Sequence, residues 1–127
     1  MGVRVLTVAF DPYAPYGPVV ETTTRLATWN VWGRYGNWSA RLDGITAELA
    51  RSNADIVCLE EAWQTPEQIQ GNLVGAALDL PHRISTGDWQ QDGWTSGVAT
   101  CSRWPVAHHE VRRLPAGVTG WGQRSTR

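Results

Sequence analysis

"DIVCLEEAW", residues 55–63, sets four apolar residues in a row and runs them straight into two adjacent carboxylates. A short apolar run of this kind, bounded by polar residues, reads as a core strand. Because polar and apolar residues do not alternate, Ile56 and Cys58 fall on one face and Val57 and Leu59 on the other. Both faces are therefore expected to be covered, as in a sheet packed on two sides. Glu60 and Glu61 then stand at the carboxyl end of that strand, facing opposite ways if the alternation continues.

The segments upstream place this strand in a larger unit. From Arg25, "RLATWNVWG" is a β-type run ending at Gly33, with Asn30 near its carboxyl end. In "NWSARLDGITAELARSNAD", Trp38, Leu42, Ile45 and Leu49 recur at helical spacing and predict one buried helical face. Asn37 is the expected N-cap and "RSNAD" the exit. Strand, helix and strand in about 35 residues make a βαβ unit. Its crossover is right-handed, so the two strands are parallel and end at the same edge. Asn30 and the Glu60/Glu61 pair therefore emerge together at the carboxyl ends of the strands, where open α/β sheets bind their ligands.

Downstream, Thr65, Pro66 and Gln68 form a capping-box pattern for a second helix, with Ile69, Leu73, Ala76 or Ala77, and Leu80 as its apolar stripe and Pro81 as its stop. "STGDWQQDGW" reads as a polar loop, "TSGVATCS" as another core strand, "SRWP" as a turn, and "VAHHEVRRL" as an edge strand. Residues 3–10 alternate as a strand before the turn-rich "DPYAPYGP". The expected organisation is an amino-terminal extension or extra strand over residues 1–24 and one α/β (α+β) domain over residues 25–127.

Composition narrows the function. The chain has 127 residues, enough for one modest domain, and a formal net charge of −1, so a polyanionic substrate must be held by a local site rather than by an overall field. No stretch approaches the ~20 apolar residues of a membrane helix, and the amino terminus lacks a signal-like pattern, so the expectation is a soluble, cytoplasmic protein. Cys58 and Cys101 lie inside apolar runs and read as reduced, buried thiols rather than a disulfide.

A single strand-end glutamate is ordinarily a solvated carboxylate, and a single asparagine ordinarily a turn or cap residue. Together at one sheet edge, Asn30 and Glu61 could bind a hard divalent cation and orient a phosphate oxygen, since Mg²⁺ favours one or two carboxylates plus water and substrate oxygens. Trp89 and Trp94 could stack on a base or lipid headgroup, or simply pack over a sheet edge. Arg103 could approach phosphate or stabilise its turn. His108 and His109 read as solvated residues of an edge strand.

"TWNVWG", "ADIVCLEEAW" and "SGVATCSRWPV", in that order and spacing, resemble the first three signature blocks of the endonuclease/exonuclease/phosphatase superfamily, over about residues 25–114. The resemblance implies the amino-terminal portion of a four-layer α/β/β/α sandwich with a mixed sheet. It also implies a metal-dependent phosphoester hydrolase, a phosphodiesterase or phosphatase using Mg²⁺ (or Mn²⁺). The substrate would be a nucleic acid, phosphoinositide or phospholipid headgroup. By that resemblance Asn30 matches the asparagine of the phosphate and metal region, and Glu61 the Mg²⁺-ligating glutamate. The residue before that glutamate is usually glutamine in the family and is Glu60 here. The family's later histidine, Asp-x-Asn and Asp-His groups have no counterpart in these residues, so weak or no turnover is expected of this chain alone. The alternative is a non-catalytic truncated module that self-associates or binds a partner chain through an uncovered sheet face.

Overall fold

The structure, a computed structural model, describes residues 23–112; the strand expected at residues 3–10 and the last part of "VAHHEVRRL" lie outside them. Six elements follow in order: β1 (Leu26–Asn30), α1 (Trp38–Ser52), β2 (Ile56–Gln64), α2 (Gln70–Ala77), β3 (His82–Gln91) and β4 (Trp94–Ser102). The strands form one mixed sheet in the order β1-β2-β4-β3. β1 and β2 are parallel, whereas β4 runs antiparallel to both β2 and β3. This is an α+β fold with the expected βαβ start. The second sheet of the expected four-layer sandwich is not among the described residues.

Local chemistry accounts for α1. The Asn37 side chain accepts from the Ala40 N–H at 3.4 Å, as an N-cap should, and Asn53 closes the helix in the left-handed region (φ 49°), where asparagine is tolerated better than most residues. Ile45 and Leu49 are buried, with Leu42 packed beside them. They join Val57, Leu59, Ala99, Cys101 and Val74 in one core cluster, so both helices cover the same face of the sheet.

That arrangement corrects the expectation for "IVCL". Val57 and Leu59 are fully buried under the helices, but Ile56 and Cys58 are only half-buried. On their face Leu26 and Val98 are exposed. The β3–β4 part of that face is met instead by the chain after β4, where Val106, His109, Glu110 and Val111 line a hollow with Ile84, Thr86, Val98 and Thr100. Residues 105–112 do this without forming the expected edge strand. Both cysteines are free; burial pushes the Cys101 thiol above its ordinary pKa, and its Sγ donates to the Gly71 carbonyl.

The second helix also differs from expectation. Residues 65–68 form a hydroxyl-capped turn, in which Thr65 Oγ1 accepts from the Gln68 N–H at 3.0 Å, and the helix itself starts at Gln70. Its buried side is Gln70, Gly71, Val74 and Gly75, while Leu73 is 37% exposed. The apolar stripe read from the sequence is rotated because the face against the sheet is built from glycines. A Cβ at Gly71 would lie 2.6 Å from Ala99 Cβ and 2.7 Å from Ser85 Oγ, so the helix sits directly on β4 and β3. The polar loop expected at residues 85–94 is in fact the greater part of β3 together with the turn of the β3–β4 hairpin at Asp92-Gly93, with Gly93 at φ 76°.

At the edge where β1 and β2 begin, Asp55 ties three strands together. Its Oδ2 accepts from the Arg25 N–H at 2.9 Å, and its Oδ1 pairs with Arg103 Nε at 2.8 Å just past β4. Arg103 is thus a structural ion-pair partner at the rim opposite Asn30 and Glu61. The Arg25 amide and the Arg103 guanidinium hold the Asp55 carboxyl below the usual carboxylate range.

Two outcomes are expected from these contacts. Gly71→Ala should destabilise the chain by about 1–2 kcal/mol, because overpacking at a rigid contact outweighs the gain in helix propensity; urea unfolding measures this, and an unchanged midpoint would contradict the close contact. Asp55→Asn should lower the thermal midpoint at neutral pH. Because the folded-state pKa is depressed, the contribution of the carboxylate is present above its unfolded value and is lost as pH falls through the folded one. The gap to the parent chain should therefore close in acid, and a gap independent of pH would argue against the ionised contact.

Candidate active site

Asn30 and Glu61 meet. Asn30 Nδ2 donates to Glu61 Oε1 at 2.9 Å, where β1 ends and β2, contrary to the expectation that it stops at the two acids, runs on to Gln64 beside β4. The amide orientation is fixed from its other side, because Asn30 Oδ1 accepts from the Trp32 N–H at 3.0 Å. An amide carries two N–H donors, so one remains after the bond to Glu61.

Glu61 is held in an uncommon backbone state. The β2–β4 register passes from Glu60↔Val98 to Ala62↔Gly97, which leaves Glu61 as the extra residue of a bulge, at φ 53°. The Gly33 N–H donates to the Glu61 carbonyl at 2.9 Å, and the Val31 N–H to that of Glu60 at the same distance, so the loop after β1 holds the bulge in place. Left-handed backbone in a residue with a Cβ costs about 1 kcal/mol, and such strain concentrates at functional sites.

The bulge also changes where the neighbouring acid points. Strand alternation predicts Glu60 and Glu61 on opposite faces, but Thr28 Oγ1 donates to Glu60 Oε1 while Asn30 donates to Glu61. Thr28 and Asn30 lie two residues apart on the same face of β1, so both carboxylates reach that face. Only Glu61 continues into the adjoining cleft of about 470 Å³, which is also lined by Tyr35, Trp89, Gln91, Ser96, Gly97 and Val98.

The loop from Val31 to Tyr35 forms one side of this cleft, and its shape comes from a helix side chain. Arg41 of α1 donates through Nε to the Val31 carbonyl and through Nη2 to those of Trp32, Gly33 and Tyr35, at 2.9–3.3 Å. Gly33, at φ 52°, is required here, since a Cβ would come within 2.5 Å of the Trp94 ring. Beneath the loop, Arg34 stacks 4.1 Å from the Trp38 ring centroid and 5.0 Å from that of Trp63.

The donor set suits a hard divalent cation. Among the described residues neither Glu60 nor Glu61 forms an ion pair with a protein cation, and both are exposed at the bulge in β2. No group of three or more His, Cys, Asp or Glu residues gathers among the described residues, so a cation here would take its other ligands from water and substrate, as Mg²⁺ commonly does. His108 and His109 are exposed on the chain after β4 and are not among the residues lining the cleft. Thr28, Tyr35, Arg41 and Gly97 escaped the sequence reading. A threonine two residues before Asn30 and a glycine inside an otherwise apolar strand were the available signals for two of them.

The described residues thus form a mixed sheet with helices on one face and carry an amide–carboxylate pair beside an open cleft. Residues 27–125 match the Endonuclease/Exonuclease/phosphatase family, and the chain belongs to it. Among solved structures, an endonuclease/exonuclease/phosphatase family protein from Leptotrichia buccalis C-1013-b shares the fold, with a TM-score of 0.58 at 16% identity over 68% of this chain. The present chain spans 39% of the length of that protein. Comparison with curated proteins gave no match.

Replacing Glu61 by glycine tests the strain at the bulge. Glu61→Gly should stabilise the fold by roughly 0.5–1 kcal/mol, since glycine adopts the left-handed region without a steric cost. Chemical denaturation reads this, and a clear loss of stability would show that the Asn30 contact outweighs the backbone strain.

Proposed function

We propose that this chain carries the metal-binding part of a divalent-metal-dependent phosphoester hydrolase, with Glu61 as the protein ligand to Mg²⁺ or Mn²⁺ and Asn30 as the residue that orients it and contacts the phosphate. The observation that carries this reading is the Asn30–Glu61 hydrogen bond at the mouth of the cleft. Family membership supports the reaction class. The open carboxylate pair supports a cation.

Each residue has a distinct task. The bond from Asn30 to Oε1 fixes the carboxylate, and the bond from the Trp32 amide keeps the asparagine from flipping, so its remaining N–H is free to meet a phosphate oxygen. Thr28 restrains Glu60 outside the cleft, which leaves Glu61 as the acid that faces substrate. When bound, the divalent ion would supply Lewis-acid stabilisation of charge on the phosphate and leaving oxygen. Preorganisation comes from the β1–α1 loop: its carbonyls are held by Arg41 and its amides hold Glu60 and Glu61, so little reorganisation is needed on binding.

Metal titration of the chain checks the assignment directly. Mn²⁺ binding followed by calorimetry should weaken about tenfold or more in Glu61→Gln and much less in Glu60→Gln. Hydrolysis of a generic aryl phosphodiester should require Mg²⁺ or Mn²⁺ and fall to background in Glu61→Gln. Metal affinity indifferent to Glu61, or hydrolysis without metal, would overturn the proposal.

A further inference from the structure

The cleft beside Glu61 has a feature that metal chemistry does not use. Two exposed aromatic side chains, Tyr35 at 41% and Trp89 at 44% exposure, reach it from separate elements. Both are set in place. The Tyr35 ring packs edge-on against Trp94 at 5.4 Å and tilted against Trp32 at 5.8 Å, and its carbonyl is held by Arg41. Trp89 follows a second register shift, from Gly87↔Gly97 to Trp89↔Ser96, which re-aims the β3 side chains. Both shifts fall opposite Gly97, where a Cβ would lie only 1.7 Å from the Thr86 carbonyl oxygen. Gly97 thus gives β3 the room for its close approach, and it stands opposite both the bulge at Glu61 and the irregularity before Trp89.

From this placement, and resting on the phosphoester reading above, we infer that the cleft seats a nucleobase of the substrate, with Tyr35 and Trp89 as its stacking surfaces and Glu61 on the phosphate side. Flat aromatic surfaces stack on any base, and the stack is worth enough to select for one. Gln91 and Ser96 add an amide and a hydroxyl that can meet the ring edge. Among the described residues no arginine or histidine lines the cleft, whereas a multiply phosphorylated headgroup needs several cationic partners. A trimethylammonium headgroup also suits aromatic walls, but it would leave the amide of Gln91 and the hydroxyl of Ser96 against methyl groups without hydrogen bonds.

The test compares ligands that share a phosphate and differ in what is attached to it. With the full chain and Mn²⁺, calorimetric titration should show adenosine 5′-monophosphate binding about tenfold tighter than ribose 5-phosphate or phosphocholine. Trp89→Ala and Tyr35→Ala should each remove most of that advantage while leaving Mn²⁺ affinity unchanged, and Trp89→Phe should keep it. Equal binding of the nucleotide and ribose 5-phosphate would overturn the inference. So would phosphocholine binding as tightly as the nucleotide, or an advantage that survives both alanine substitutions. The two readings fail separately: Mn²⁺ binding that depends on Glu61 without any preference for the base sinks only the stacking inference, whereas a base preference with Mn²⁺ affinity indifferent to Glu61 sinks only the metal assignment.

Discussion

The rim of this sheet depends on the absence of a side chain at Gly97. Among the described strands β4 alone pairs with both β2 and β3, and at Gly97 its two neighbours each carry one residue more than the ladder requires. Any Cβ there would overlap the Thr86 backbone. With that space kept open, β3 closes on β4 at the point where, on the other side, β2 turns Glu61 into the left-handed region, and Glu61 and Trp89 border the same cleft. The site is thus a local failure of regular pairing, held by hydrogen bonds from the β1–α1 loop.

Around that constraint the molecule separates its tasks by rim. The helices bury one face through Val57, Leu59, Ala99 and Cys101, and the contact is tight because α2 presents Gly71 and Gly75 to the strands. At the far edge, Asp55 gathers the starts of β1 and β2 and the end of β4. At the near edge, the acids carry no protein counter-charge among the described residues, which is costly for stability and useful for taking up a cation.

Much of this was legible in the sequence, and the misreadings have physical causes. The βαβ unit announced itself through the helical spacing of Leu42, Ile45 and Leu49, the Asn37 cap and the apolar run of β2, all local signals. The parallel register of β1 and β2 was enough to bring Asn30 to Glu61, although β2 does not end there but continues to Gln64. Periodicity failed where it was broken on purpose: alternation put Glu60 away from Glu61, but a bulge lets both acids reach one face. It failed again at α2, because hydrophobicity does not register a buried face made of glycine. β3 was mistaken for a loop because its residues are polar and its partner strand follows only after an Asp-Gly turn. The aromatic cleft depends on that hairpin folding back, so nothing local could reveal it.

The guanidinium of Arg41 acts on the β1–α1 loop through its backbone. By gripping the carbonyls of Val31, Trp32, Gly33 and Tyr35 from α1, it fixes the path of the loop largely through the main chain, Gly33 being the position where the Trp94 ring leaves no room for a side chain. Exposed positions such as Trp32 and Tyr35 can therefore be exchanged in related sequences with the loop's course preserved, and the same frame can be refitted to differently shaped substrates by altering only what projects from it.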